Sequence, residues 1–258
     1  MPGVKQSRDG AVGILILNEP ASLNAMTPDL LGGLATAIGE LTADPTIRSL
    51  VLTGEGRGFC SGQNLKASEA LGQDIVAGVM KFYWPAFKAL RECRVPVVIA
   101  VNGVAAGGGF SLAMAGDMIV AARSASFIQV FSRIALVPDL GSTWLLPRLV
   151  GQARARGLAL LAEPLSAEKA EQWGLIWKAV DDASLMAEAE KLCVHFSTAP
   201  TFGLGLIKRA LDAAEDNDLS AQLDLERNLQ REAGSHPNYR EGVQAFLQKR
   251  KPSFSGKR

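Results

Sequence analysis

Two glycine-rich segments are the parts of this sequence best suited to chemistry. The first, LVLTGEGRGFCSGQNLK, spans residues 50–66, and the second, VIAVNGVAAGGGFSLAM, spans residues 98–114. Each consists of an apolar strand pattern, a run of small residues and a helix-like sequence. Glycines let a backbone approach a ligand closely, and the first amides of a helix point outward with a favourable dipole. Two such amides, one from each segment, could hold a thioester oxygen as it becomes an enolate.

Two other interpretations of these segments have less support. A phosphate-binding loop needs a Lys-Ser/Thr pair, which the second segment lacks, and a dinucleotide fingerprint needs a glycine where Leu112 follows Gly107 and Gly109. The glycines could instead only permit tight packing of a strand on a helix. That interpretation suits either segment alone, but the presence of both favours an oxyanion site.

The third candidate is a single carboxylate, Asp139, within the apolar stretch IALVPDLGSTWLLPRLVG of residues 134–151. Burying an ionised acid costs on the order of several kcal/mol unless something compensates it. PDLG is also a common turn signal, and an exposed turn aspartate is the alternative. Together with the two glycine segments, the position favours a catalytic base whose pKa is raised toward neutrality by apolar surroundings.

The elements that would position these groups follow an α/β pattern. Branched apolar runs predict strands at residues 10–18, 47–56, 95–103 and 116–124. Thr27 is the expected N-cap of a first helix, with Pro28 at its first position. Apolar residues at helical spacing predict further helices at residues 182–197, 201–214, 219–233 and 239–250. The alternation predicts an α/β core up to about residue 200 and a helical region beyond it.

Composition limits the functional classes. The chain has 258 residues with 27 basic and 26 acidic side chains, and no basic block indicates nucleic acid or an anionic membrane as partner. Its cysteines, Cys60, Cys93 and Cys193, fit neither a disulfide framework nor a metal site, which favours a reducing cytoplasm. The first ten residues contain no apolar core of a secretory signal.

One segment, residues 95–116, is long and apolar enough to span a membrane. Pro96 and the glycines at 107–109 would interrupt a single helix there. A buried strand, a glycine loop and a buried helix explain the segment better.

Four motifs occur in an order and spacing that carry a resemblance: LNEPASLNAMT, RGFCSGQNL, AVNGVAAGGGFSLAMAGD and LVPDLGSTWLLPRLVG. They resemble the crotonase, or enoyl-CoA hydratase/isomerase, superfamily. The tail REGVQAFLQKRKPSF resembles the last helix of that family, so the likeness covers essentially the whole chain. It implies a crotonase-like spiral core of ββα units at residues 1–200. A C-terminal helical oligomerisation region would occupy residues 201–258 and form a homotrimer or a dimer of trimers.

The resemblance also implies roles for individual residues. The oxyanion donors would be the backbone amides of Gln63, which follows Gly62, and of Gly108. CoA would enter as part of the substrate, and neither a metal nor a redox cofactor is implied. The expected substrate- and CoA-binding residues are Ala21, Leu23, Ser61, Gln63, Asn64, Leu65, Lys66, Gly108 and Lys249, although Lys66 and Lys249 could equally be ordinary solvated lysines.

This chain departs from the hydratase pattern at both acidic positions. Hydratases of the family use two glutamates to activate water, and Ser111 and Phe131 stand in their places, neither of which can act as a carboxylate acid or base. Asn64 replaces a common aspartate. It retains the acceptor oxygen that could cap the following turn but lacks the charge. Isomerases of the family carry their acid later, at the position of Asp139.

The resemblance therefore implies an acyl-CoA isomerase that moves a double bond from the 3 to the 2 position. The stretches GSTWLLPRLVGQARARGLALL, LSAEKAEQWGLIWKAVDD and PTFGLGLIK resemble the branch that converts the ring epoxide of phenylacetyl-CoA to an oxepin in phenylacetate catabolism. Tyr83, Trp84 and Phe87 form either a core stripe or the wall of an aromatic acyl pocket. Two alternatives remain: a hydratase with other acids, and a catalytically weak partner subunit.

Overall fold

Two sheets form the framework of the protein in a computed structural model that describes residues 3–65 and 75–256. The strands of the larger sheet are β1 (Val4–Asp9), β2 (Val12–Leu17), β3 (Ser49–Gly54), β5 (Val97–Val101), β7 (Met118–Ala122) and β10 (Lys178–Val180), in that spatial order. The strands of the smaller sheet are β4 (Gly58–Cys60), β6 (Val104–Ala106), β8 (Ser126–Ile128) and β9 (Leu165–Ser166).

The chain places successive strands in alternate sheets. β3, β5 and β7 pair in parallel in the larger sheet, and the strands that follow them, β4, β6 and β8, pair in parallel in the smaller one. After β6 the chain enters helix α4 (Gly108–Met114), which completes a strand–strand–helix unit. The predicted α/β spiral of ββα units is therefore confirmed.

The four predicted strands all lie in the larger sheet, as β2, β3, β5 and β7. Every residue of β3 and β5 is buried, because the larger sheet is covered on both faces. Parallel strands buried in this way are continuous apolar runs in sequence, which is why they were predictable. The smaller sheet was not predicted, since its strands of two or three residues are too short for a periodic signal.

The helices cover the sheets and then continue as a separate group at the end of the chain. Around α4, they are α1 (Pro28–Ala43), α2 (Ile75–Gly78), α3 (Trp84–Arg91), α5 (Ser142–Val150), α6 (Gln152–Leu161), α7 (Ala167–Gln172) and α8 (Leu185–Thr198). The last three are α9 (Thr201–Ala214), α10 (Leu219–Ser235) and α11 (Pro237–Leu247). A π-helical turn, Val79–Tyr83, joins α2 to α3.

Capping residues fix two helix starts. Thr27 caps α1 as predicted, because its side chain accepts a hydrogen bond from the amide of Leu30 at 3.1 Å and Pro28 occupies the first position. The last helix lies slightly earlier than predicted. His236 caps it through the amide of Asn238, at 3.1 Å, so α11 begins at Pro237 and ends at Leu247.

Ion pairs attach the C-terminal helices to the core, and the one with the least exposed side chains joins Lys208 to Asp117. Lys208, on α9, contacts Asp117 at 2.7 Å, and the same carboxylate oxygen accepts the amide of Val97 at 2.7 Å. Burial raises the pKa of Asp117, and the charge of Lys208 opposes that effect. Asp117 is therefore a structural residue that connects β5 to α9.

The long apolar segment forms β5, β6 and α4, so the predicted buried strand and buried helix are confirmed and β6 is an additional, unpredicted strand. Among the helices of residues 3–65 and 75–256, none is both long enough and apolar enough to cross a membrane.

Candidate active site

The two glycine-rich segments leave neighbouring strands at the same edge of the smaller sheet. Within the first segment the glycine loop follows β4, and within the second it follows β6; the two strands are parallel with Gly58 opposite Val104. Because the carboxyl ends of parallel strands meet at one edge, the loops that follow them lie together.

The glycines are needed because the two loops touch. Gly62 has φ +86°, and a Cβ on it would lie 2.7 Å from the carbonyl oxygen of Ala106 and 3.3 Å from the amide nitrogen of Gly108. A Cβ on Gly109 would lie 2.1 Å from the carbonyl oxygen of Cys60. Side chains at these positions would force the loops apart, so the glycines bring the backbones of both segments to one point.

Two backbone amides remain available at that point. Met26 bonds to the neighbours of Gln63, donating to Gly62 at 2.7 Å and accepting from Asn64 at 3.0 Å. The amide of Gln63 therefore points away from Met26, since amide directions alternate along an extended chain. Gly108 is the first residue of α4, where amides have no partner within the helix. Neither amide has an acceptor among the residues that the structure describes.

Asp139 lies in the loop before α5 and is held there through its own backbone. Its carbonyl oxygen accepts the amide of Ser142 at 3.0 Å and the hydroxyl of Ser111 at 3.1 Å. The two residues that follow it, Leu140 and Gly141, have φ of +47° and +72°. The loop is thus tied to α4, the helix that begins with the Gly108 amide.

The carboxyl group of Asp139 lies in apolar surroundings. Its Oδ1 is buried and has no hydrogen-bond partner among the described residues. Burial raises the pKa of Asp139 to about 6, and a hydrogen bond from its own backbone amide opposes the shift. A carboxylate whose pKa lies near neutrality can accept and return a proton at physiological pH.

A cavity of about 620 Å³ brings these groups together. Gln63, Gly108 and Asp139 all line it, and most of the remaining wall is apolar. Its volume is in the range of small-molecule sites, which are commonly apolar with a few converging polar groups. Asp139 is the only carboxylate among the described residues that line the cavity.

The three aromatic residues Tyr83, Trp84 and Phe87 divide between the two predicted roles, pocket wall and core. Tyr83 and Trp84 line the cavity, whereas Phe87 is buried in the core. The hydroxyl of Tyr83 donates to the carbonyl oxygen of Met26 at 3.2 Å. Burial, followed by the negative charges of Asp139 and Cys60, raises the pKa of Tyr83 to about 12.

The residues expected to bind CoA fall into three groups. Ser61, Gln63, Leu65 and Gly108 line the cavity, and Asn64 lies between two of them, bonded to Met26. Ala21 and Leu23 do not line the cavity, but the carbonyl of Leu23 accepts the amide of Ser61, a lining residue, at 3.0 Å. Lys66 lies outside the described residues, and Lys249 is exposed beyond the end of α11 and does not line the cavity.

The two positions that carry glutamates in hydratases have other roles here. Ser111 is fully buried and bonds to the backbone of Asp139, and Phe131 is part of the cavity wall. Sequence reasoning did not predict the Ser111 bond, nor the bond at 2.6 Å from Gln129 to the hydroxyl of Ser142. The only sequence signal for these bonds was the presence of single polar residues inside apolar segments. It did not identify their partners, because the partners lie far away in sequence.

Comparison with known proteins agrees with this arrangement. A family model described as enoyl-CoA hydratase/isomerase matches residues 7–257. The 1,2-epoxyphenylacetyl-CoA isomerase of Escherichia coli K12 is 51% identical over 94% of both chains, and the mitochondrial enoyl-CoA hydratase of Pongo abelii is 32% identical over 97% of this chain and 86% of its own.

A solved structure has the same fold. The crystal structure of an enoyl-CoA hydratase from Polaromonas sp. JS666 superposes with a TM-score of 0.92 at 34% identity, covering 97% of this chain and 99% of the other. The family model spans nearly the whole chain, and both relatives exceed 30% identity. This protein is a member of the enoyl-CoA hydratase/isomerase family.

Proposed function

We propose that this protein is an acyl-CoA isomerase with a single acid–base group. The amides of Gln63 and Gly108 hold the thioester oxygen and stabilise the negative charge that develops on it. Asp139 removes a proton from the carbon next to the thioester and returns it two carbons further along. The double bond then moves from the 3 to the 2 position, and Asp139 ends in its starting state.

The observation that carries this proposal is the lone carboxylate in an apolar cavity. Isomerisation needs one base that moves one proton, whereas hydration needs acids that hold and activate water. With Ser111 and Phe131 at the hydratase positions, Asp139 is the only described acid on the cavity wall. The apolar wall also disfavours a bound water, which protects the conjugated 2-enoyl thioester from hydration.

We further propose the ring epoxide of phenylacetyl-CoA as a substrate. The relative from Escherichia coli bears the name 1,2-epoxyphenylacetyl-CoA isomerase, and the aromatic side chains of Tyr83 and Trp84 suit a ring in the acyl pocket. The carbon–carbon bond shared by the epoxide and the six-membered ring would break to give the seven-membered oxepin, and Asp139 would move a proton from the carbon next to the thioester to a ring carbon. CoA enters as part of the substrate in both reactions, and we propose no separate cofactor.

Hydration is the second candidate, because the relatives from Pongo abelii and Polaromonas are named as enoyl-CoA hydratases. High turnover of crotonyl-CoA to the 3-hydroxy product would favour it. Stable co-purification with another protein, and no activity of the pure chain, would favour a partner subunit instead.

The cellular setting is also a proposal. All three cysteines are free and buried, which suits a reducing cytoplasm. Cys60 packs as a small apolar residue in the first loop, and burial raises the pKa of its thiol to about 12.

Replacing Asp139 with Asn should reduce isomerisation of a 3-enoyl-CoA by about 10²–10⁴-fold, since the base is lost while the oxyanion donors remain. The assay follows absorbance of the conjugated 2-enoyl thioester. The dissociation constant of the acyl-CoA, measured by calorimetry, should change little, and the exposed Asp29→Asn should behave like wild type. Equal loss of binding and turnover in Asp139→Asn would contradict the base assignment.

The pKa of Asp139, at about 6, predicts opposite effects on activity and stability. Activity needs the ionised form, so kcat/KM should fall about tenfold per pH unit below pH 6. Because the folded pKa is raised above 3.8, Asp139 lowers the free energy of unfolding as pH rises from about 4 to 6. Asp139→Asn should therefore be more stable than wild type in urea at pH 8, and this advantage should disappear at pH 4.

Replacing Ser111 with Ala should lower kcat roughly tenfold, because the loop that positions Asp139 loses its bond to α4. KM should change little, since Ser111 is not part of the cavity wall. Ser49→Ala is a matched control: Ser49 is also fully buried, and its hydroxyl donates to the carbonyl oxygen of Cys193 at 3.1 Å, far from the cavity. Similar losses of activity in both variants would indicate a general effect on folding.

We propose that residues 201–258 form an oligomerisation region. Its helices expose large apolar side chains that a lone chain would leave in water: Ile207, Leu211, Leu219, Leu223, Val243, Phe246 and Leu247. Light scattering should give a mass of three or six times the 27.3 kDa chain. A mass of one chain at micromolar concentration would contradict this proposal.

A further inference from the structure

Tyr83 is a cavity residue that the isomerase mechanism does not use. It ends the π-helical turn of residues 79–83, where one extra residue per turn changes the direction of the side chains that follow. Its side chain is only 3% exposed, yet it lines the same cavity as Asp139. π-turns inside helices are frequent at functional sites.

The hydroxyl of Tyr83 can leave its present partner at little cost. Its hydrogen bond to the carbonyl oxygen of Met26, at 3.2 Å, is long for a hydroxyl donor. That carbonyl also accepts the amide of Asn64 at 3.0 Å, so it stays bonded when the hydroxyl turns away. A ligand oxygen in the cavity can therefore accept a hydrogen bond from the Tyr83 hydroxyl without leaving a buried carbonyl unsatisfied.

The hydroxyl remains a donor whenever Asp139 is ionised. The pKa of Tyr83 is raised to about 12 by burial, then by the charges of Asp139 and Cys60. The Tyr83 hydroxyl therefore stays protonated near the negative charge of Asp139, the proposed base. The arrangement favours donation to an acceptor oxygen and disfavours a second anionic group in the cavity.

Two of the other polar side chains on the cavity wall donate to backbone carbonyls outside the cavity. Ser61 donates to the carbonyl oxygen of Ser22 at 2.9 Å, and Arg133 donates to that of Ala162 at 2.5 Å. The amides of Gln63 and Gly108 are reserved for the thioester oxygen under the proposed function. Tyr83 is therefore suited to recognise a polar atom on the acyl group itself.

We propose that Tyr83 is a specificity-determining residue, whose hydroxyl donates a hydrogen bond to a ring oxygen of the acyl group. The preferred substrates would be acyl-CoA thioesters that carry an epoxide or cyclic ether near the carbon that exchanges its proton with Asp139. The inference rests on the proposed isomerase function. No covalent step is involved, because the proton stays on Tyr83. A plain alkenyl chain offers no acceptor and gains nothing from the hydroxyl.

Tyr83→Phe removes the hydroxyl and keeps the ring. With the ring epoxide of phenylacetyl-CoA, kcat/KM should fall about 10–100-fold, because an oxygen that loses its donor stays unsatisfied in an apolar cavity. With 3-hexenoyl-CoA it should change less than about threefold, with an unaltered pH profile. Tyr239→Phe is the matched control: it alters the only other tyrosine of the chain, which is exposed on α11.

A second measurement compares the binding of two compounds and does not require that either of them be converted. Cyclopentylacetyl-CoA and tetrahydrofuran-2-ylacetyl-CoA differ by one ring oxygen and can be compared as competitive inhibitors of 3-hexenoyl-CoA turnover. Wild type should bind the oxygen-containing inhibitor about 3–10-fold more tightly, and Tyr83→Phe should show no preference.

Several outcomes would overturn the inference. Equal losses with both substrates would make Tyr83 a positioning residue for Gln63 or Asp139, and no loss with either would leave it no role. Wild type that isomerises 3-hexenoyl-CoA but not the epoxide would remove the inference and the proposed epoxide substrate, and would leave the proposed double-bond isomerase function intact. Folded wild type that is inactive on both substrates would remove the proposed function as well.

Discussion

The direct contact of two backbones is the constraint on which the rest of this structure depends. The carbonyl of Cys60 and the chain at Gly109 approach so closely that no Cβ fits between them, and Gly62 meets Ala106 in the same way. Only parallel strands can present two loops at one edge with this spacing, and only glycines let those loops touch. The two sheets, the alternation of strands between them and the buried helix α4 all serve to hold this contact.

A second constraint is the placement of one acid in an apolar cavity. The isolated side chain of Asp139 is unfavourable for folding in its ionised form, so the surrounding backbone must compensate. Ser111 and Ser142 bond to its carbonyl, and Oδ1 of its carboxyl group has no hydrogen-bond partner among the described residues. The acid is thereby fixed in position while its proton affinity remains high. The same arrangement that weakens the fold near neutral pH makes the group useful as a base.

The sequence predicted the elements that are long or chemically distinctive. Apolar runs identified β2, β3, β5 and β7, Thr27 identified the start of α1, and the glycine segments with Asp139 identified the cavity groups. It could not predict contacts between distant residues, such as those from Ser111 to Asp139 or from Tyr83 to Met26, since they depend on packing. The π-turn before Trp84 and the small sheet also lack a periodic signal, because both are shorter than the windows in which periodicity is visible.

The proposed oxyanion donors, the amides of Gln63 and Gly108, belong to the main chain, and this has a consequence for how such a protein can change. No substitution of a side chain deletes them, provided that the glycines are retained. Positions 83, 111, 131 and 139 come from separate elements and meet at the cavity or its supporting helix. A new reaction would therefore require the exchange of only a few side chains around these two main-chain amides, and the fold could stay the same. In this fold the glycines and the two main-chain amides must stay constant, whereas the side chains at the four positions around the cavity can diverge.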